Sequence, residues 1–191
     1  MSDKKYKVNE IFYSIQGEGK YAGAPAVFVR FSGCNLKCPF CDTNHSIYKE
    51  LSAREISDII NQLTGLKSEI IVVFTGGEPT LQIDDFERLA EGYRTHIETN
   101  GILPVPNWID WVTISPKTKL SDEQLNRADE IKILYGLFDD EYIKSLPESK
   151  PVLIQPLEID GKTNVNEAME FVKENPRFKL AVQLHKYLGI R

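Results

Sequence analysis

Apolar and polar positions alternate between two periods along this chain. At 26–31, Ala-Val-Phe-Val-Arg-Phe is β-branched and aromatic and predicts a strand. At 52–63 the period changes. Ser52 stands at a cap position with Glu55 three residues on, and Ile56, Ile59, Ile60 and Leu63 form one helical stripe. The continuous apolar run 70–74 has the character of a strand buried on both faces. A short helix over 84–91 and strands at 95–98 and 111–114 follow. Then come a helix at 121–126, a strand at 130–134, a helix at 139–146, a strand at 152–155, a helix at 164–174 and a last strand at 178–182. Pro104 and Pro106 break the segment before 111–114, so no helix is expected there.

Strand–helix alternation predicts an α/β fold with a parallel sheet. About six such strands are too few for a closed eight-stranded barrel, so a partial, open barrel is expected. No linker or low-complexity stretch divides 1–191, which reads as a single domain.

The polar motifs fall just after the strands. A cysteine loop follows 26–31, and Thr75-Gly76-Gly77-Glu78-Pro79 follows 70–74. Glu98-Thr99-Asn100-Gly101 ends the third strand, Ser115-Pro116-Lys117 follows the fourth, and Gln155-Pro156 ends the sixth. Parallel strands share one C-terminal rim, where ligands bind, so these motifs are predicted to meet in space.

The cysteine loop carries the strongest signal. The only three cysteines are Cys34, Cys38 and Cys41, spaced C-x3-C-x2-C. Three thiolates so spaced suit three corners of an iron–sulfur cubane, leaving one iron open to a small molecule. A Cys3His zinc site completed by His45, or unliganded thiols, are the other readings of the spacing. A disulfide would leave one cysteine over. The glycine pair at 76–77 permits close backbone approach to a ligand, and alone it is also an ordinary turn signal.

Composition narrows the setting. The chain has 191 residues, 41% hydrophobic and 27% charged, with a net charge of −5. There is no basic footprint for nucleic acid and no apolar run of membrane length. The first seven residues are polar, unlike a secretory signal, so a reducing cytoplasm is expected.

Together, C-x3-C-x2-C and Gly-Gly-Glu-Pro resemble the radical S-adenosylmethionine superfamily. Further segments narrow the likeness: Ser14-Ile15-Gln16-Gly17-Glu18-Gly19, Phe28-Val29-Arg30, Cys41-Asp42-Thr43, Ser115-Pro116-Lys117 and Gln183-Leu184-His185-Lys186. From about residue 8 to 191 the chain is similar to the 7-carboxy-7-deazaguanine synthase family within that superfamily.

The resemblance implies a reaction. 6-Carboxy-5,6,7,8-tetrahydropterin loses a hydrogen at C6, contracts its ring and releases ammonia, giving 7-carboxy-7-deazaguanine for 7-deazapurine (queuosine precursor) synthesis. It implies a [4Fe–4S] cluster on Cys34, Cys38 and Cys41, and Mg²⁺ on Thr43. S-adenosylmethionine would lie against Phe40, Cys41, Asp42, Gly77, Ser115, Pro116 and Lys117. Substrate would meet Ile15, Gln16, Gly17, Arg30, Thr75 and the terminal Arg191. A flavodoxin- or ferredoxin-type reductant and a homodimer go with it. His45 and His96 are read as without chemical role, and Trp108 and Trp111 as packing. The C-terminal tail is expected to dock through Tyr187, Leu188 and Ile190 and so close the site. Family members often carry a longer insertion after the cysteine loop, where only one helix fits here. A glycyl-radical activating enzyme, or a noncatalytic metal or electron-transfer module, is the alternative.

Overall fold

The computed structural model describes residues 4–41, 43–85 and 87–190. Its strands are β1 (Lys5–Ile15), β2 (Pro25–Phe31), β3 (Lys49–Ser52), β4 (Ile71–Gly76), β5 (Thr95–Thr99), β6 (Trp111–Ile114), β7 (Glu130–Leu134), β8 (Val152–Gln155), β9 (Glu158–Ile159), β10 (Lys162–Thr163) and β11 (Lys179–Leu180). The helices are α1 (Ala53–Thr64), α2 (Asp122–Asn126), α3 (Asp140–Ser145), α4 (Val165–Glu174) and α5 (Leu184–Leu188).

One sheet has the order β11-β8-β7-β6-β5-β4-β2-β1-β3, and β9 and β10 form a separate hairpin. From β2 to β11 every neighbouring pair is parallel. On the other side of β2, β1 pairs antiparallel, and β3 pairs antiparallel with β1. The edge strands β11 and β3 do not pair with each other, so the barrel stays open.

Alternation along the strands sorts two faces. Outward, Val27, Val29 and Phe31 of β2, Val72 and Phe74 of β4 and Ile97 of β5 join the main core. From the helices, Ile56 and Ile60 of α1 and Ala168 and Phe171 of α4 meet them. Inward, the register aligns Arg30 with Thr75, Glu98 with Thr113, and Lys132 with Leu153. A small apolar plug of Ala26, Ile71 and Val73, packed by Tyr21 and Phe28, fills one end of this inner face.

One cap is the one the sequence marks, and a second is of the same kind. Ser52 and Glu55 close a reciprocal capping box on α1, and Ser121 and Gln124 do the same on α2. Ile56 and Ile60 of the predicted stripe are buried, whereas Leu63 is exposed.

Three readings need correction, and one strand had no reading of its own. No helix forms at 84–91 among the described residues, because its polar groups are committed elsewhere. Trp108 Nε1 donates to the Asp84 carbonyl at 2.7 Å, Asn107 N to Asp85 Oδ1 at 2.6 Å, and Ser57 Oγ to the Leu89 carbonyl at 2.8 Å. The last predicted strand shrinks to Lys179–Leu180. Between the cysteine loop and β4 there is β3 as well as α1. The N-terminal residues enter the sheet as β1, with Tyr6 and Val8 buried.

Candidate active site

At the C-terminal ends of the parallel strands lies a cavity of about 470 Å³. Cys34, Cys38, Phe40, Cys41 and Thr43 line it from the loop after β2, and Thr75 and Gly77 from the end of β4. Ser115 and Lys117 reach it from the turn after β6, and Arg30 from β2 itself. Ile15, Gln16 and Gly17 line it from the connection between β1 and β2. Pro116 is buried and does not line the cavity. Asp42 and Arg191 lie outside the described residues.

The three thiols are free and share this cavity. Burial lifts the Cys34 and Cys38 thiols above the usual range; at Cys34 the Glu78 carboxylate and the neighbouring thiols add to this. A metal that displaces the protons would convert them to ligands. His45 also lines the cavity, with Nε2 3.7 Å from Cys41 Sγ. Yet among the described residues no three His, Cys, Asp or Glu side chains converge as a ligand set for one ion. The donor set, three sulfurs with no fourth cysteine, fits a cluster with one open iron.

The Gly-Gly-Glu-Pro turn is pinned to the cysteine loop by backbone. Gly77 N donates to the Phe31 carbonyl at 3.0 Å and Glu78 N to the Gly33 carbonyl at 2.9 Å. The Glu78 side chain turns away from the cavity and is fully buried. Its Oε1 accepts from Thr99 Oγ1 at 2.7 Å and Thr80 Oγ1 at 2.6 Å, and its Oε2 from Asn100 N at 2.8 Å. Glu78 therefore ties the ends of β4 and β5 together and leaves Gly76 and Gly77 to face a ligand.

On the other wall, the Gln16 backbone is already paired, its N–H with the Ala24 carbonyl and its carbonyl with Gly23 N–H, each at 2.8 Å. What remains is the side-chain Nε2, buried without a partner among the described residues. Such an orphan donor fits a ligand acceptor. Arg30 lines the cavity, and its Nε donates to Glu10 Oε1 at 3.0 Å across the β1–β2 pair.

The floor joins motif residues to Lys132, Thr113 and Glu130, which the motifs did not single out. Lys132, on the inner face of β7, donates to Glu98 Oε2 at 2.8 Å and to Glu18 Oε2. Burial opposes the charge on Lys132, but Glu18 and Glu98 outweigh it and raise its pKa. Burial likewise opposes ionisation of Glu18, and Lys132 with Gln183 outweighs it, so Glu18 titrates below its usual range. Glu98 is raised, first by burial and then by the facing Glu18 and Glu130. Burial, with Lys132 nearby, lowers Lys117 to about 8; its Nζ donates to Ser115 Oγ at 2.7 Å. Beneath, His96 Nε2 meets Thr113 Oγ1 at 2.7 Å, which donates to Glu130 Oε1 at 2.8 Å. The available signal was strand alternation: Glu130 and Lys132 put charge at every second position of an otherwise apolar strand.

The rim is built by the β9–β10 hairpin and the tail. Glu158, Asp160 and Gly161 line the cavity from the hairpin, and Gln183, His185 and Lys186 from the tail. Lys186 Nζ pairs with Glu158 Oε2 at 2.9 Å. The tail does not dock as expected: Tyr187 is 77% and Leu188 59% exposed. Gln183 to His185 seat it instead, with Leu184 N donating to the Gly17 carbonyl at 3.0 Å. A Cβ on Gly17 would lie 2.6 Å from His185 Nδ1, so glycine is what lets the tail approach. Trp108 and Trp111 are packing residues, stacked edge-on against Phe74 and Tyr21.

A three-thiol loop backed by a glycine cradle on an open parallel barrel is the architecture of a radical S-adenosylmethionine protein, and the family model "Radical SAM superfamily" matches residues 28–118. The 7-carboxy-7-deazaguanine synthase of Bacteroides thetaiotaomicron is 43% identical over 190 residues, covering 97% of this chain and 98% of that protein. The protein of the same name from Haemophilus influenzae is 35% identical, covering 98% and 95%. The crystal structure of QueE from Escherichia coli superposes with a TM-score of 0.74 at 26% identity, covering 95% of each chain. The chain belongs to the 7-carboxy-7-deazaguanine synthase family.

Proposed function

We propose that this chain is a 7-carboxy-7-deazaguanine synthase, converting 6-carboxy-5,6,7,8-tetrahydropterin to 7-carboxy-7-deazaguanine with loss of ammonia. The observation that carries this reading is the shared cavity, in which the thiol loop faces the Gln16–Gly17 segment and Arg30. A cofactor and a second ligand can therefore meet in one enclosure.

A [4Fe–4S] cluster with S-adenosylmethionine supplies, when bound, the radical that removes one hydrogen from substrate. Cys34, Cys38 and Cys41 would hold the cluster. The Gly76–Gly77 backbone, Phe40, Asp42 and the Ser115-Pro116-Lys117 turn would hold S-adenosylmethionine. Ile15, Gln16, Gly17 and Thr75 would position the pterin, and Arg30 its carboxylate, using guanidinium N–H groups other than the Nε given to Glu10. Thr43 offers Mg²⁺ a hydroxyl, the hard oxygen that ion prefers. Arg191 is assigned to the pterin edge. The chain's own task is to hold one C–H bond against the radical and exclude water.

The reading carries with it a single-domain protein, a homodimer, a flavodoxin- or ferredoxin-type reductant and a cytoplasmic setting. Three free cysteines gathered on one cavity support a reducing compartment. No helix among the described residues is long and apolar enough to cross a membrane. No observation favours the activating-enzyme or noncatalytic alternatives. The test is anaerobic turnover. Reconstituted protein, S-adenosylmethionine, Mg²⁺, reductant and the carboxytetrahydropterin should yield the deazaguanine and ammonia. Cofactor cleavage with no deazapurine would reject the assignment.

A further inference from the structure

Two hydrogen bonds in series join the tail to the cavity wall, and a third braces the residue between them. Gln183 Nε2 donates to Glu18 Oε1 at 2.7 Å. Lys132 holds the other oxygen of the same carboxylate, so the Glu18 side chain is clamped from two sides. The Glu18 backbone N–H donates to Gln16 Oε1 at 3.2 Å. That bond decides which way the Gln16 amide faces. Its oxygen is taken, so its Nε2 is left as the donor, buried and without a partner among the described residues, on a residue that lines the cavity. The tail backbone adds a parallel tether, Leu184 N to the Gly17 carbonyl at 3.0 Å.

We propose that Gln183, acting through Glu18, is a positioning residue that orients the Gln16 amide to donate its buried N–H to an acceptor atom of the substrate. The inference rests on reading this wall as the pterin side of the cavity. It gives the tail a defined role: Gln183, not the exposed Tyr187 or Leu188, carries the coupling between tail closure and substrate binding. Without the Gln183 donor, Glu18 keeps only Lys132. The 16–18 segment then loses its second tether, and the Gln16 amide is free to rotate.

The test uses cluster-reconstituted protein under anaerobic conditions. Dissociation constants for the carboxytetrahydropterin and for S-adenosylmethionine are measured separately in Gln183→Leu, Gln16→Leu and the double variant. Gln183→Leu should weaken pterin binding about tenfold, the worth of one good hydrogen bond, and change S-adenosylmethionine binding by less than about twofold. Because both residues act through one amide, the double variant should bind pterin no worse than Gln16→Leu alone. Gln183→Met, which nearly keeps the shape, removes the donor and adds no charge beside Glu18, should repeat the loss and guards against a folding artefact in the leucine variant. Iron content and melting temperature report folding in each case. If Gln16→Leu weakens pterin binding and neither Gln183 variant does, the relay is wrong while the pterin reading stands. If Gln16→Leu has no effect, the pterin reading of this wall fails. Equal losses for both ligands, or additive losses in the double variant, would reduce Gln183 to a general structural contact and overturn the proposal.

Discussion

Gly33 and Gly77 touch backbone to backbone, so closely that a Cβ on Gly77 would sit 1.8 Å from the Gly33 carbonyl oxygen. The cysteine loop and the ligand cradle are thereby one rigid unit. That contact accounts for glycine at position 77 without reference to any ligand. Gly77→Ala must push the two loops apart. We expect it to lower both iron content after reconstitution and S-adenosylmethionine affinity by at least about tenfold, a cost of about 1.4 kcal/mol or more. Iron analysis and equilibrium binding check this, and a fully loaded variant with normal affinity would contradict it.

Lys132 is the cation on which the floor depends. Its side chain is 9% exposed and sits between Glu18 and Glu98. Lys132→Ala leaves two buried carboxylates facing each other, and breaking a buried pair in this way costs about 3–5 kcal/mol. Urea unfolding should show that loss, and Lys132→Arg should recover part of it.

Arg30→Lys keeps the charge but removes the planar fork. The Glu10 contact is part-exposed and contributes little on its own. The stability change should therefore be small, while pterin affinity should fall about tenfold or more and S-adenosylmethionine affinity should hold. Equal losses for the two ligands, seen by titration calorimetry, would move Arg30 out of the substrate site.

His96 gives a pH dependence whose sign follows from burial. Burial, with Lys132 nearby, lowers its pKa from 6.5 to about 3. Below pH 6.5 the unfolded chain takes up a proton that the folded chain refuses until about pH 3. Stability attributable to His96 is thus present above pH 6.5 and lost as pH falls toward 3, by up to about 1.4 kcal/mol per pH unit. His96→Gln retains a side-chain N–H for Thr113 and cannot titrate. Its unfolding free energy should fall less steeply than that of the wild type between pH 6.5 and 4. Parallel curves would contradict the burial account.

Most of the barrel was legible because its strands are buried on both faces and α1, α2 and α3 carry their own caps. Ile70 to Phe74 can only be an interior strand, and Ser52 with Glu55 marks a helix start without tertiary help. The site motifs were legible because parallel strands bring their C-terminal loops to one rim. What escaped was set by partners distant in sequence. The 84–91 segment has helical periodicity, but Trp108 and Asn107 take its acceptors. Glu130 and Lys132 show charge on one face of their strand, but the partners of Lys132, Glu18 and Glu98, come from segments distant in sequence. Two misses had local signals. Tyr6 and Val8 alternate with Lys5 and Lys7 as in a half-buried strand, and Asp160-Gly161 is the hairpin turn between β9 and β10.

The central claim is that one cavity brings the S-adenosylmethionine carbon and C6 of the pterin within reach of each other. Substrate deuterated at C6 tests it most directly. During anaerobic turnover, mass spectrometry should find deuterium in the 5′ position of the cofactor pool, and its amount should rise with deazaguanine formed. Turnover that leaves the cofactor unlabelled would contradict the account.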